Sequence, residues 1–212
     1  MSIAEKLTTI AENEQKVYDA GREAERDRLY EISYSSMTYV SMFLYAFAGY
    51  AWTDETYNPT KAIVMNSLTN AGFMFYYSQI TDTKVDINLG ASAPAQSSSI
   101  FAHSKIKTIR KLIIPEGNYI DFTNQFTNAK KLENITIEGV IKKNFNIQWS
   151  PLSVVSMKNI IEHLKNHKGT AEENTYTLSF SDDCWARLNA DSAPPQEDTW
   201  QLYVQNVLGI NT

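Results

Sequence analysis

A phenylalanine followed three positions later by a small residue, then by leucine and isoleucine, recurs through the middle of this chain. Phe101-Ala-His-Ser104 leads into Ile106, Ile109, Leu112 and Ile114 and closes at Pro115-Glu-Gly117. Phe126-Thr-Asn-Ala129 leads into Leu132, Ile135 and Ile137 and closes at Glu138-Gly139. A fainter copy starts at Phe75-Tyr-Tyr-Ser78 and runs through Val85, Ile87 and Leu89, so the phenylalanines stand 26 and 25 residues apart. Periods of this size mark architectures in which each unit supplies one strand and buries its apolar side against the next. The two complete units are therefore expected to pair in parallel, one above the other. Because no unit can bury its face alone, the ends of such a stack need caps.

Caps are legible on both sides. Upstream, residues 34–80 lose charge and become rich in Tyr, Phe and Met, with Ile63, Val64, Met65 and Leu68 fitting a strand or a short helix. Downstream, Phe145, Ile147 and Trp149 alternate as a strand would. Ser150-Pro-Leu-Ser153 opens a helix carrying Met157, Ile160, Ile161 and Leu164, which Gly169 is expected to end. Tyr176, Leu178 and Phe180 read as a strand, and Ser181-Asp-Asp183 opens a helix through Trp185 and Leu188 that Pro194-Pro195 breaks. Trp200 to Leu208 reads as a last helix.

The first 33 residues differ in kind. Ser2 and Glu5 have the spacing of a capping box, and Ile3, Leu7, Ile10 and Val17 recur at alternating four- and three-residue intervals. These four residues are the candidate oligomerisation seam of a short coiled coil. The seam fades beyond Gly21, and a single amphipathic helix lying on its own domain accounts for the pattern equally well. Residues 1–33 are thus expected to form a helix, and 34–212 one domain with no long Gly/Ser linker.

Charge and cysteine content narrow the function. The chain carries a formal net charge of −5 at pH 7, which disfavours nucleic acid because phosphate binding needs a positive field. The basic run Lys105–Lys111 is interleaved with Ile106 and Ile109 and reads as the solvated edge of a strand. A single cysteine, Cys184, excludes an intrachain disulfide framework and any cysteine-based zinc site. Its neighbours Asp182 and Asp183 disfavour a thiolate, so a buried structural cysteine is expected. No signal-peptide pattern is seen, and the most apolar stretch, 42–52, falls short of the ~20 residues of a spanning helix. Synthesis in a reducing compartment is expected, with no membrane insertion.

The pattern Phe-x-x-(Ala/Ser)-x-x-Leu-x-x-Ile-x-Ile resembles the BspA-like (treponemal-type) leucine-rich repeats. It is met in full at Phe126–Ile137 and with altered spacing at Phe101–Ile114. Units of that family usually carry cysteine where this chain has Ser104 and Ala129. The opening Ser2-Ile-Ala-Glu-Lys-Leu-Thr-Thr-Ile-Ala-Glu-Asn13, Phe47-Ala-Gly49 with Trp52-Thr-Asp-Glu55, and Trp149-Ser-Pro-Leu152 resemble a group of short repeat proteins from phages and prophages of gut Firmicutes. The resemblance implies an α/β fold: a short leucine-rich-repeat-type parallel β stack of two to three repeats with α/β caps, preceded by a long N-terminal helix. It also implies a non-enzymatic binding or assembly protein, tail-associated in a virion or displayed on a surface. Its partner would be a protein or a host surface molecule such as a glycan. A monomeric intracellular interaction scaffold and, behind it, a carbohydrate-active enzyme are the competing expectations.

No catalytic, metal or cofactor constellation emerges. His163 and His167 lie four apart in the expected helix, as metal ligands do, but no third ligand joins them in sequence, and polar capping of the helix C-terminus is the expected role. Asp82 with Asp86, and Asp182 with Asp183, have nothing to set them across a substrate. The aromatic residues Tyr45, Tyr50, Trp52 and Phe73–Tyr77 suit either a sugar-stacking surface or core packing, and packing is the expected role.

Overall fold

The computed structural model describes residues 48–49, 53–55, 57, 59, 63–64, 72–90 and 99–212. The N-terminal seam residues Ile3, Leu7, Ile10 and Val17 lie outside them, as do Tyr45, Tyr50, Trp52, Met65 and Leu68. Four strands form one sheet in chain order: β1 (Ile63–Val64), β2 (Asp86–Asn88), β3 (Thr108–Ile114) and β4 (Asn134–Gly139). All three pairings are parallel, as expected for the two complete units. Ile63 pairs with Ile87, Ile87 with Leu112, and Leu112 with Ile137. The apolar positions of adjacent strands therefore coincide, and Ile63, Ile87, Ile109, Leu112, Ile114, Ile135 and Ile137 are buried on one face. The opposite face is polar, with Arg110 near Asp86 (3.3 Å) and Lys111 on Glu138 (2.8 Å).

Between strands the chain makes one turn again and again. The N–H of Ser78 donates to Phe75 O, that of Ser104 to Phe101 O, and that of Ala129 to Phe126 O. Phe75, Phe101 and Phe126 are fully buried and stack with near-parallel rings at 5.5 and 5.2 Å, and Phe145 continues the column at 5.6 Å. The third residue after each phenylalanine is small because its side chain enters the packed interior: Ser78, Ser104 and Ala129 are all buried. The Ser104 hydroxyl returns a hydrogen bond to Phe101 O at 2.8 Å, which satisfies the one polar atom that burial would orphan.

The same turn occurs once more where the sequence suggested a strand. Ser150 N–H donates to Ile147 O, and the Ser150 hydroxyl donates to Ala129 O at 3.0 Å. Ile147 is buried, but Trp149 is 44% exposed. The regular strand here is only β5 (Phe145–Asn146), paired in parallel with β6 (Leu178–Ser179) in a second small sheet. The expected inward alternation at Trp149 fails because the chain has already turned.

The helix α1 (Val154–Glu162) begins at Ser153, whose hydroxyl caps Ser156 N–H. It lies against the open edge of β4 and closes it. Ser156 Oγ accepts from Ile135 N–H (2.9 Å) and Asn159 Oδ1 from Ile137 N–H (2.6 Å), so side chains replace the next strand. An unpaired edge invites strand addition by other chains, and this arrangement removes it. The helix ends at Glu162, not near Gly169. Beyond it, Ile141 N–H donates to His163 O and Lys165 N–H to Ile141 O, both at 2.8 Å. That pairing draws Leu164 into an extended bridge with Ile141 and ends the helix.

The helix α2 (Asp182–Asp191) starts as expected at Ser181, with Asp182 and Asp183 in the first turn, where negative charge suits the helix dipole. Cys184, Trp185 and Leu188 are buried along it. The last segment is helical as expected, but its pattern changes along it: one α turn, α3 (Trp200–Leu202), runs directly into a π-helix at Tyr203–Val207. No described helix is long and apolar enough to cross a membrane.

Candidate binding surface

Two residues after each stacked phenylalanine, the backbone takes the left-handed conformation: Tyr77 (φ 56), His103 (φ 57) and Asn128 (φ 54). The first two are tied to the following turn by Tyr77 N–H to Ala102 O (3.2 Å) and His103 N–H to Thr127 O (2.9 Å). One turn earlier, Gly49 has φ 85 and donates to Tyr76 O at 2.8 Å. Glycine adopts this conformation without strain, whereas an L-residue pays roughly 1–2 kcal/mol. Asn and His tolerate it better than most, and Tyr is unusual there. Three of the four turns thus carry a side chain where glycine would be easier.

Of those side chains Tyr77 is exposed, and His103 and Asn128 are half-buried. Tyr77 is 38% exposed and stacks on the half-buried His103 at 4.7 Å and 21°. Tyr76 packs edge-on against both. The bond from Ser150 to Ala129 sets the Ile147 turn beside the Phe126 turn, and Trp149, within the Ile147 turn, is exposed. Beside these turns run lysines. Lys105 N–H donates to Ser78 O and Lys107 N–H to Thr81 O, which sets their exposed side chains one rung from Gln79 and Thr81. Lys130 and Lys131 follow on the next turn, also exposed. None of the ion pairs among the described residues involves these four lysines. Two exposed carboxylates stand in the same array: Glu133, its N–H bonded to Lys107 O, and Asp54, which accepts from Thr81 N–H (2.7 Å) and the Thr81 hydroxyl (2.6 Å).

The densest titratable cluster lies elsewhere. Tyr176 OH donates to Glu172 Oε1 (3.1 Å), Lys143 Nζ donates to Tyr176 OH (2.6 Å), and Lys165 Nζ reaches Glu172 Oε2 (3.5 Å). His167 is buried just beneath, its Nδ1 3.2 Å from Glu172 Oε2 but off the line of a hydrogen bond. Burial holds the imidazole pKa below its ordinary value of 6.5, with the lysines adding to the effect and Glu172 opposing it. The Tyr176 hydrogen bond, together with Lys165, holds the Glu172 carboxyl below 4.5. Every charged group here has a partner, and backbone bonds from His167 N–H to Leu208 O and from Asn174 N–H to Gly209 O tie the loop to the C-terminal segment. The cluster works as a clamp.

A pH dependence follows. An unfolded histidine takes up its proton near pH 6.5, before the buried one does, so the stability held by neutral His167 is complete above that pH and is lost as pH falls. Glu172 adds a second loss below about pH 4.5. The thermal midpoint is expected to fall between pH 7.5 and 5, and to fall less steeply in His167→Gln. Equal slopes for the two proteins would show that His167 stays outside the transition.

The histidine pair does not share a helical face. His163 is the C-cap residue of α1, with Nδ1 2.7 Å from Asn159 O, while His167 lies five residues past the helix end. No group of three or more His, Cys, Asp or Glu able to hold a metal occurs among the described residues. Cys184 is fully buried, as expected, its Sγ 3.4 Å from Ser150 O. Asp82 caps Lys84 N–H and Asp86 faces Arg110; Asp183 pairs with Arg187. Within the described aromatic run, Met74 and Phe75 are packed in the core as expected, and Tyr77 is partly exposed.

Sequence reasoning missed Trp149, His103 and the lysines as members of one surface. The available signal was the constant offset of His103 and Asn128 from their phenylalanines. No family model, curated protein or solved structure matches the chain. The described residues define a mixed α/β protein built on a small parallel sheet.

Proposed function

We propose that the chain is a non-enzymatic binding and assembly protein of the short leucine-rich-repeat type, acting in a phage virion, where it is tail-associated, or as a surface-displayed module. The observation that carries this reading is the row Tyr77, His103 and Asn128, three side chains held on a rigid ladder in a conformation that glycine would adopt more easily. Residues held in sparsely populated backbone regions cluster at functional sites, ligand clamps among them. The regular interval of the Phe turns and the BspA-like residue pattern support the repeat assignment. In this reading the N-terminal segment, through Ile3, Leu7, Ile10 and Val17, holds copies together and the turn surface meets the partner.

Light scattering of the whole chain and of a version starting at Tyr34 tests the assembly half. An oligomer that becomes a soluble monomer on truncation is expected. A full-length monomer whose truncated form aggregates would overturn it in favour of a lone intracellular scaffold.

A further inference from the structure

The geometry points to a ligand class for this surface: an acidic polysaccharide whose sugar rings carry carboxylates. This rests on the binding reading above. The polar face of the sheet and the Glu172 cluster neutralise their own charges through internal pairs. The exposed turn surface keeps an excess: Lys105, Lys107, Lys130 and Lys131 present four ammonium groups against the two exposed carboxylates of Glu133 and Asp54, on a chain of net charge −5. Positive charge left unpaired on an acidic protein favours an anionic partner locally while the rest of the surface repels large polyanions.

The neighbouring row supplies the other half of the recognition. Trp149 presents an exposed ring, while Tyr77 and His103, stacked on each other, present their polar ring edges, a hydroxyl and an imidazole nitrogen. The indole plane of Trp149 can stack on the apolar face of a sugar ring, and the amides of Asn128 and of Gln79, whose nitrogen also donates to Tyr77 O, can bond hydroxyl groups. Adjacent parallel rungs lie about 4.8 Å apart, so Lys105 and Lys131 stand close enough for successive carboxylates of one glycan chain. A nucleic acid would also meet aromatics and lysines. It would, however, need a more extensive positive field than four lysines beside Glu133 and Asp54 provide.

The test uses the full chain, titrated calorimetrically with an oligogalacturonate, with a neutral maltooligosaccharide and an oligothymidylate of similar length as comparisons. The oligogalacturonate is expected to bind best, with affinity falling as salt rises. Trp149→Ala should weaken it about tenfold. The pair Lys105→Gln with Lys131→Gln should weaken it about as much and flatten the salt dependence. His103→Gly relieves the left-handed strain, so its weakened binding would come from a protein that still folds. Absence of oligogalacturonate binding at millimolar concentration, equal affinity for the maltooligosaccharide, tighter binding of the oligothymidylate, or indifference to all three variants would each overturn the proposal. The assembly reading fails separately, because a monomer can still bind the glycan.

Discussion

Gly139→Ala is expected to destabilise the protein by about 4 kcal/mol or more, at the extreme of single substitutions. Gly139 ends β4 at φ 102, and a Cβ there would stand 1.9 Å from Ile114 O and 2.7 Å from Ile114 C. Both are backbone atoms of β3, which cannot retreat without opening the β3–β4 ladder. The same carbonyl accepts Val140 N–H at 3.2 Å, so moving it breaks a further bond. Gly169→Ala is the control. It also has positive φ (73) but open space around the Cβ position, leaving only the conformational term of about 1–2 kcal/mol. Thermal unfolding should show the Gly139 variant lowered by roughly 10 °C or more and the Gly169 variant by only a few degrees. Equal shifts would mean that conformation, not the close approach, limits both sites.

Phe101→Ala should cost about 3–5 kcal/mol, the range for removing a buried aromatic ring. Phe101 is fully buried between two rings that are nearly parallel to it, Phe75 at 8° and Phe126 at 6°. Its removal leaves a void in the middle of the column, with backbone hydrogen bonds on both sides holding the turns apart. Phe101 N–H donates to Gln125 O and Phe75 N–H to Ile100 O, so the neighbours cannot collapse into the gap. Phe101→Leu should recover much of the loss by refilling volume. Urea midpoints at constant slope would measure both, and a Phe101→Ala loss below about 1.5 kcal/mol would show that the site relaxes freely.

The stacking direction and the buried face were legible in the residues from 101 to 139. A parallel strand shows its inward positions as Ile109, Leu112, Ile135 and Ile137, and a tight interior turn admits only Ser or Ala at 104 and 129. Caps were legible too: Ser153 and Ser181 start their helices because each hydroxyl accepts a nearby backbone N–H, a local interaction. Such features depend on residues within a few positions of one another, or on an interval that repeats.

What escaped was everything set by a partner distant in the chain. Residues 163–168 were expected to continue a helix, and only the bonds from Ile141 to His163 and from Lys165 to Ile141 decide otherwise. Ser156 and Asn159 look like ordinary helix residues until the unpaired edge of β4 lies beside them. Ile147 stands 21 positions after Phe126, and Ile replaces Phe there, so its equivalence to the phenylalanine turns is visible only through the Ser150 hydroxyl on Ala129 O. The same is true of the candidate surface. Local sequence determined that Tyr77, His103 and Trp149 exist as isolated aromatic or imidazole residues. The register of the stacked turns, set by burial of one apolar face and by backbone bonds between turns, decided that Tyr77 and His103 stack on each other and that Trp149 stays at the surface.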